Sequence, residues 1–202
     1  MIRILHKEQG QAFPIYVMMV AGLLFLALAF FAVGKASALR NESQGAADAA
    51  ALAAAQQARS DFGTGFLASL PANMLDAFLD GSFVAPCQEA QRLADANGTD
   101  QQLCYSTPGY LRDRVTVEVQ GRKTVDSSVL PGSENRKAVA KATAVIEFRC
   151  PNPKAVDLTG DGVLDLFTFT CRNGENVEIT PASPPPWESV SRTLFDVRLV
   201  DQ

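Results

Sequence analysis

Histidine is almost missing from this sequence of 202 residues, whose one histidine is His6. A Ser-His-Asp triad or a histidine-based zinc hydrolase would therefore have to take its imidazole from the first few residues of the chain. The sequence also shows no nucleophile beside a base, no glycine-rich phosphate loop and no pair of carboxylates that stands out from ordinary surface charge. We therefore expect the protein not to be an enzyme.

An excess of positive charge is missing as well. The chain has 18 Lys and Arg residues against 22 Asp and Glu residues, for a formal net charge of −4 at pH 7. Binding to nucleic acid needs clustered Lys and Arg side chains that contact phosphates. We therefore expect no nucleic-acid partner.

Charge is missing altogether from one long block, residues 12–33. These 22 residues would form a helix of roughly 33 Å at ~1.5 Å per residue, which is enough to cross the hydrocarbon core of a bilayer. The sequence therefore predicts a short N-terminus over residues 1–11 and a transmembrane helix over residues 12–33, with the lipid bilayer as its partner. The alternative is a cleaved signal peptide with a cleavage site at Ala36-Ser37-Ala38, but the apolar run exceeds the ~7–15 residues typical of such signals.

The segment after this block is rich in alanine, with eight alanines between Ala46 and Ala55. Alanine has the highest helix propensity, so we expect the membrane helix to continue outward to about Arg59, as a helical extension over residues 34–60. Because alanine side chains bury little apolar area, we expect the packing partner of this segment to be partly another chain.

The remaining residues, 61–202, predict one α+β domain. Apolar residues at three- and four-residue spacing predict two short helices over residues 61–81, separated by Pro71, and a third helix over residues 86–97. Further along the chain, apolar and polar residues alternate, which predicts a small antiparallel sheet. Its expected strands cover residues 115–119, 139–148, 164–170, 177–180 and 194–200.

Four cysteines follow the apolar block, without a C-x-x-C pair or a companion histidine, so their spacing excludes a zinc site. Behind a membrane anchor they fit an oxidising exterior, which places the N-terminus in the cytoplasm and the α+β domain outside it. Sequential pairing is favoured because each pair would close a local loop of about twenty residues. The other two connectivities, and four free thiols in a cytosolic domain, stay open. The predicted disulfides are Cys87–Cys104 and Cys150–Cys171.

One loop has the spacing of a calcium site. Oxygen side chains occupy its positions one, three, five and nine, with a glycine at six and a backbone carbonyl at seven, and alternate residues of such a loop point their oxygens at one ion. Because position twelve is Thr168 rather than glutamate, we expect weak affinity. A turn rich in Asp and Gly that binds no ion is the alternative. The candidate calcium ligands are Asp157, Thr159, Asp161, Val163 and Asp165.

Three stretches together resemble a known family. The residues Gly10-Gln11-Ala12-Phe13-Pro14-Ile15-Tyr16 resemble the start of TadE/TadG-like proteins of the Tad (tight adherence, Flp-type) pilus system. The run from Ala46 to Ala55 resembles the alanine-rich segment that follows their anchor. The unit from Cys87 to Cys104, with the strand after it, is similar to a cysteine-bracketed helix and strand in some members.

The resemblance implies a pseudopilin-like or minor-pilin-like envelope protein with a pilin-like fold, taking part in Flp/Tad pilus assembly or surface structure. Its implied partners are other pilin-like or Tad assembly proteins, contacted through the N-terminal helix. Gly10 and Gln11 flank the family's processing position. Ile15 stands where processed prepilins carry glutamate, so we expect an unprocessed, TadG-like anchored assembly protein. The alternative is a single-pass anchored binding domain, responsive to calcium and unrelated to pili.

Overall fold

The computed structural model describes residues 12–124 and 135–200. The predicted N-terminus over residues 1–11 and the candidate processing residues Gly10 and Gln11 lie outside the described residues. The described part contains one long helix, three short helices and two antiparallel sheets. The predicted α+β class, with a long N-terminal helix, is therefore confirmed.

The long helix, α1, covers Ala12–Ser69 and has 58 residues. The prediction that it ends near Arg59 was wrong, and the predicted boundary at residue 60 falls inside the helix. It continues because Phe62 and Phe66, in its last turns, are packed into the core of the domain. The helix ends just before Pro71, where the residue preceding a proline is disfavoured in the α conformation. The first of the two helices predicted in residues 61–81 is thus the end of α1.

The shorter elements follow α1 in chain order. The helices are α2 (Leu75–Leu79), α3 (Cys87–Ala96) and α4 (Trp187–Leu194). The strands are β1 (Thr99–Thr107), β2 (Arg112–Thr124), β3 (Lys137–Phe148), β4 (Lys154–Val156), β5 (Leu166–Thr170), β6 (Asn176–Ile179) and β7 (Phe195–Val200).

Three of these elements were not predicted from the sequence. β1 consists of mostly polar residues and β4 has three residues, so neither shows a clear apolar alternation. α4 has a usable signal, because Trp187, Val190, Ser191 and Leu194 recur at helical spacing just after the prolines at 184–186. That pattern covers only two turns, which is too short to predict a helix from periodicity alone.

The strands form two sheets where the sequence predicted one. The larger has the order β1-β2-β3-β7 and the smaller the order β4-β5-β6. In the larger sheet, Val115, Val117 and Val119 of β2 pair with Ala144, Ala142 and Ala140 of β3, and all six side chains are buried. Alternate residues of both strands therefore form one continuous apolar face.

The alanine-rich part of α1 packs on this domain. Because alanine is small, α1 can approach β2, β3 and α3 closely, and the alanines are excluded from solvent without a second chain. The expectation that this segment packs partly on another chain is therefore wrong for the buried alanine face. The buried alanines are Ala46, Ala47, Ala50, Ala51, Ala54, Ala55 and Ala58.

Both disulfides of the sequential pairing are present in the structure. Cys87–Cys104 joins the first turn of α3 to β1. Cys150–Cys171 joins the chain just after β3 to the chain just after β5, and so ties the two sheets together. Each bridge closes a short loop, which restricts the unfolded chain and stabilises the folded domain.

Substitution by alanine should have opposite effects on stability at two glycines of α1. A Cβ at Gly63 would lie 2.9 Å from ring atoms of Trp187, whereas a Cβ at Gly45 would meet no atom within 4 Å. We expect Gly45→Ala to stabilise the protein by about 1 kcal/mol through helix propensity. We expect Gly63→Ala to destabilise it by about 1 kcal/mol, because overpacking against the ring exceeds that gain. Thermal unfolding of both variants checks this, and equal shifts of the same sign would contradict it.

Candidate functional site

The first turns of α1 project from the domain with their apolar side chains uncovered. Phe30 and Phe31 are 75% and 74% exposed, and the large apolar residues before them are exposed as well. Within the described residues, α1 is the one helix that is long and apolar enough to cross a membrane. An apolar surface of this size is unusual on a soluble monomer and indicates contact with lipid or with other proteins.

The packed part of α1 begins a short distance after the apolar block. Leu39 and Ser43 are buried, and the carboxylate of Glu42 accepts a hydrogen bond of 2.8 Å from the ammonium of Lys123 at the end of β2. Gln44 donates to the backbone carbonyl of Lys141 in β3. The domain thus packs on α1 from about residue 39 onward. The helix is continuous between the apolar block and this packed part.

A buried carboxylate connects the two sheets near the far end of β3. Glu147 is 7% exposed at its side chain and accepts hydrogen bonds from Arg112 of β2 at 2.9 Å and from Arg172, just after β5, at 2.6 Å. Arg198 of β7 binds its other oxygen at 2.8 Å. Burial alone would raise the pKa of Glu147, but the three guanidinium groups outweigh burial and hold the pKa at about 2. Asp196 of β7, which lies opposite Glu147 in the sheet, also contacts Arg198, at 2.9 Å. These ion pairs join strands of both sheets, so we interpret the arrangement as a structural clamp.

Because of this clamp, the free energy of unfolding depends on pH in the acid range. The pKa of Glu147 lies below its ordinary value of 4.5 in the folded protein, so its stabilisation is complete above pH 4.5 and is lost as pH falls towards 2. Between pH 7 and pH 2, we expect the free energy of unfolding of the wild type to fall by about 3 kcal/mol more than that of Glu147→Gln. Urea unfolding at several pH values checks this, with Glu178→Gln, an exposed site on β6, as the control.

Asp113 makes stability depend on pH in the opposite direction from Glu147. It is present both in the wild type and in Glu147→Gln. Burial raises the pKa of Asp113 to about 6, against the hydrogen bond that it accepts from the Gly109 N–H. Its contribution therefore falls as pH rises from about 4 to about 6, and it cancels in the difference between wild type and variant. If the free energies of unfolding of wild type and Glu147→Gln fell equally with pH, the stabilising role of Glu147 would be contradicted.

The predicted calcium loop is closed by its own backbone. Asp157 accepts hydrogen bonds from the N–H groups of Gly160 at 2.6 Å and Gly162 at 2.8 Å, and these bonds, led by that of Gly162, lower its pKa. Asp165 accepts from the N–H of Leu158 at 2.8 Å. In the described part of the chain, no three acidic, histidine or cysteine side chains are placed to hold one metal ion. The side chains as arranged form a turn, and calcium binding stays a prediction of the sequence.

Calcium titration decides between the two interpretations of this loop. With the affinity of weak extracellular sites, ~10⁻⁴–10⁻³ M, calcium at about 5 mM would stabilise the fold by about 1–2 kcal/mol. The measurement is the Tm with calcium and with chelator, in the wild type and in Asp161→Asn. The calcium hypothesis expects a rise in the wild type alone. An unchanged Tm, or the same rise in both proteins, leaves a turn without an ion.

Comparisons with known proteins concern the same projecting helix. Residues 10–57 match the family model described as Putative Flp pilus-assembly TadE/G-like. No curated protein and no solved structure shows significant similarity to the chain. The matched segment contains the apolar block and most of the alanine-rich turns of α1, and it ends before α3 and both sheets. Over residues 10–57, the chain is therefore similar to the TadE/TadG-like proteins of the Tad pilus system.

Proposed function

We propose that this protein is a membrane-anchored TadE/TadG-like component of Flp/Tad pilus assembly, with residues 12–33 in the bilayer. One observation carries the proposal: the family match covers the projecting, apolar part of α1 together with most of the alanine-rich turns that pack on the domain. A helix of this length and composition is stable in lipid because all its backbone groups are paired internally. The domain then lies beside the membrane, held by the same helix.

The two disulfides support an extracytoplasmic domain. Disulfides form and persist outside the reducing cytosol, and both bridges lie in the part of the chain that follows the membrane segment. The N-terminus would then be cytoplasmic. This orientation exposes the domain to the space in which a pilus is built.

The continuity of α1 suggests how such a component works. The apolar turns can leave lipid and pack against other apolar helices without a change in the domain, because the domain packs on α1 only from about residue 39 onward. Exchange of lipid contacts for helix contacts is a known route to association within bilayers. The protein would therefore meet its Tad partners first through this helix.

Membrane fractionation with protease protection tests the anchor and its orientation. We expect the protein to stay in membranes washed with carbonate, and we expect added protease to remove the domain in spheroplasts while the membrane segment survives. Release by carbonate would contradict the anchor, and protection of the domain would contradict the orientation.

A deletion strain tests the role in pili. We expect loss of pili on deletion and restoration by the full chain, but not by a chain without residues 12–33. Normal pili in the deletion strain would favour the alternative of an anchored binding domain unrelated to pili. Mass spectrometry of the purified protein tests processing: we propose an intact N-terminus, and cleavage after Gly10 would instead indicate a processed pilin.

A further inference from the structure

An open groove of about 750 Å³ lies on the domain between α3 and α4, with α1 as its floor. The floor is a stripe of α1 formed by Ala49, Ala53, Gln56 and Ser60, whose spacing of four, three and four residues places them on one helix face. From Ala49 to Ser60 the stripe is roughly 17 Å long, or about three helical turns. This is the face of the alanine-rich segment that the domain leaves uncovered.

Three arginines and two glutamates line the groove. Arg92 and Arg192, on its two walls, are paired with Glu89 at 2.6 Å and Glu188 at 2.7 Å. Arg59 on the floor forms no ion pair within residues 12–124 and 135–200, and its buried Nε has no acceptor there. Both glutamates of the groove walls are thus already paired with an arginine, and neither forms an ion pair with Arg59.

The surroundings of Arg59 are unfavourable for a charge. Burial lowers the pKa of Arg59, the nearby charges of Arg192 and Arg149 lower it further, and Asp196 and Glu188 offset this only in part. The indole Nε1 of Trp187 donates to the backbone carbonyl of Arg59 at 3.0 Å, which fixes this turn of α1 beside α4. A carboxylate supplied from outside would pair with the guanidinium and remove the imbalance.

We propose that this groove binds an acidic helix of another polypeptide, which places one carboxylate on Arg59 and apolar side chains over Ala49 and Ala53. The three-turn length and the small floor residues suit a helix, because small side chains let two helix backbones approach closely. The proposal rests on the proposed function, since it names a partner for an assembly protein, and it goes beyond contact through the membrane segment.

A second copy of this chain is a poorer occupant. Two copies anchored at the same end would lie parallel, and in register their Arg59 residues would face each other across the contact. The glutamates of the groove would not relieve this repulsion, because Glu89 and Glu188 are already paired with Arg92 and Arg192 of their own chain. Like charges at a buried contact oppose association, so the charge pattern selects a different, acidic partner.

Binding of designed peptides to the full chain in detergent tests the groove. The probe is a fluorescent, end-capped helical peptide of alanine and leucine with one glutamate in its apolar stripe, and the matched peptides carry glutamine or lysine at that position. We expect the glutamate peptide to bind at least about tenfold more tightly than the other two, as measured by anisotropy. This comparison uses the wild-type protein, so it does not depend on the folding of a variant.

Charge reversal locates the contact. In Arg59→Glu we expect the glutamate peptide to lose its advantage and the lysine peptide to gain it, whereas the control Arg114→Glu, at an exposed site on β2, changes neither. Equal binding of all three peptides, absence of binding, or the same loss in both variants would overturn the proposal. The assay needs neither a membrane nor a pilus, so its failure is distinguishable from failure of the proposed function.

Discussion

Replacement of Phe66 by alanine should destabilise the domain by about 3–5 kcal/mol. The side chain of Phe66 is 0% exposed, and five aromatic rings lie around it at centroid distances of 5.3 to 6.0 Å. These rings come from α2, α4 and both sheets, so the substitution leaves a cavity where four parts of the domain meet. The rings belong to Phe78, Phe148, Phe169, Trp187 and Phe195.

The measurement is denaturant unfolding of the full chain in detergent. Trp187 is the one tryptophan of the sequence and lies 5.3 Å from Phe66 between ring centroids, so its fluorescence reports this core directly. Since domains are stable by only about 5–15 kcal/mol, the loss would lower the unfolding midpoint strongly. Phe30→Ala, in the exposed part of α1, removes the same side chain and should leave the midpoint unchanged. A change below about 1 kcal/mol for Phe66→Ala would contradict the central position of this ring.

Two charges in the apolar part of α1 should prevent membrane anchoring. Leu24 and Leu28 lie near the middle of the proposed membrane segment, and an arginine at the centre of a membrane helix opposes insertion by about 2.5–3.5 kcal/mol. We therefore expect the double variant Leu24→Arg, Leu28→Arg to lose about 5–7 kcal/mol of insertion free energy. The fraction of protein retained in carbonate-washed membranes measures this loss.

The matched control for this variant is Leu24→Ala, Leu28→Ala, which shortens the same side chains without adding charge. We expect the alanine variant to stay in the membrane fraction. The domain of the arginine variant should remain folded, because both sites lie in the exposed part of α1. An arginine variant that stays fully in the membrane would show that residues 12–33 are not the anchor.

Local patterns explain which parts of the fold could be predicted. Val115, Val117 and Val119 alternate with polar residues, and β2 and β3 are where this alternation predicted strands. The disulfides were predictable because each joins cysteines that are close in sequence, 17 and 21 positions apart. The end of α1 was not, because Phe62 and Phe66 continue the helix only through contacts with residues far away in sequence.

The alanine-rich segment shows the limit of composition as evidence. Alanines on a helix look the same in sequence whether they face a sheet of the same chain or another protein. Here one face, including Ala50 and Ala54, is buried in the domain, while Ala49 and Ala53 form the floor of the groove. The Glu147 clamp was equally invisible, since its three arginines come from three separate strands and turns. Such sites depend on tertiary structure and carry no local signal.

Because α1 is continuous, the domain turns together with the apolar block at the start of the helix. Phe31 and Ala49 are eighteen residues apart, which is five helical turns, so the groove faces the same direction as Phe31 in the apolar block. Any neighbour that binds one face of the apolar block therefore also fixes the direction in which the groove opens. A tilt of about 20°, common for membrane helices, would move the far end of α1 sideways by roughly 18 Å. With residues 12–33 in the bilayer, as proposed, the tilt of α1 would set both the orientation of the domain and its lateral position outside the membrane.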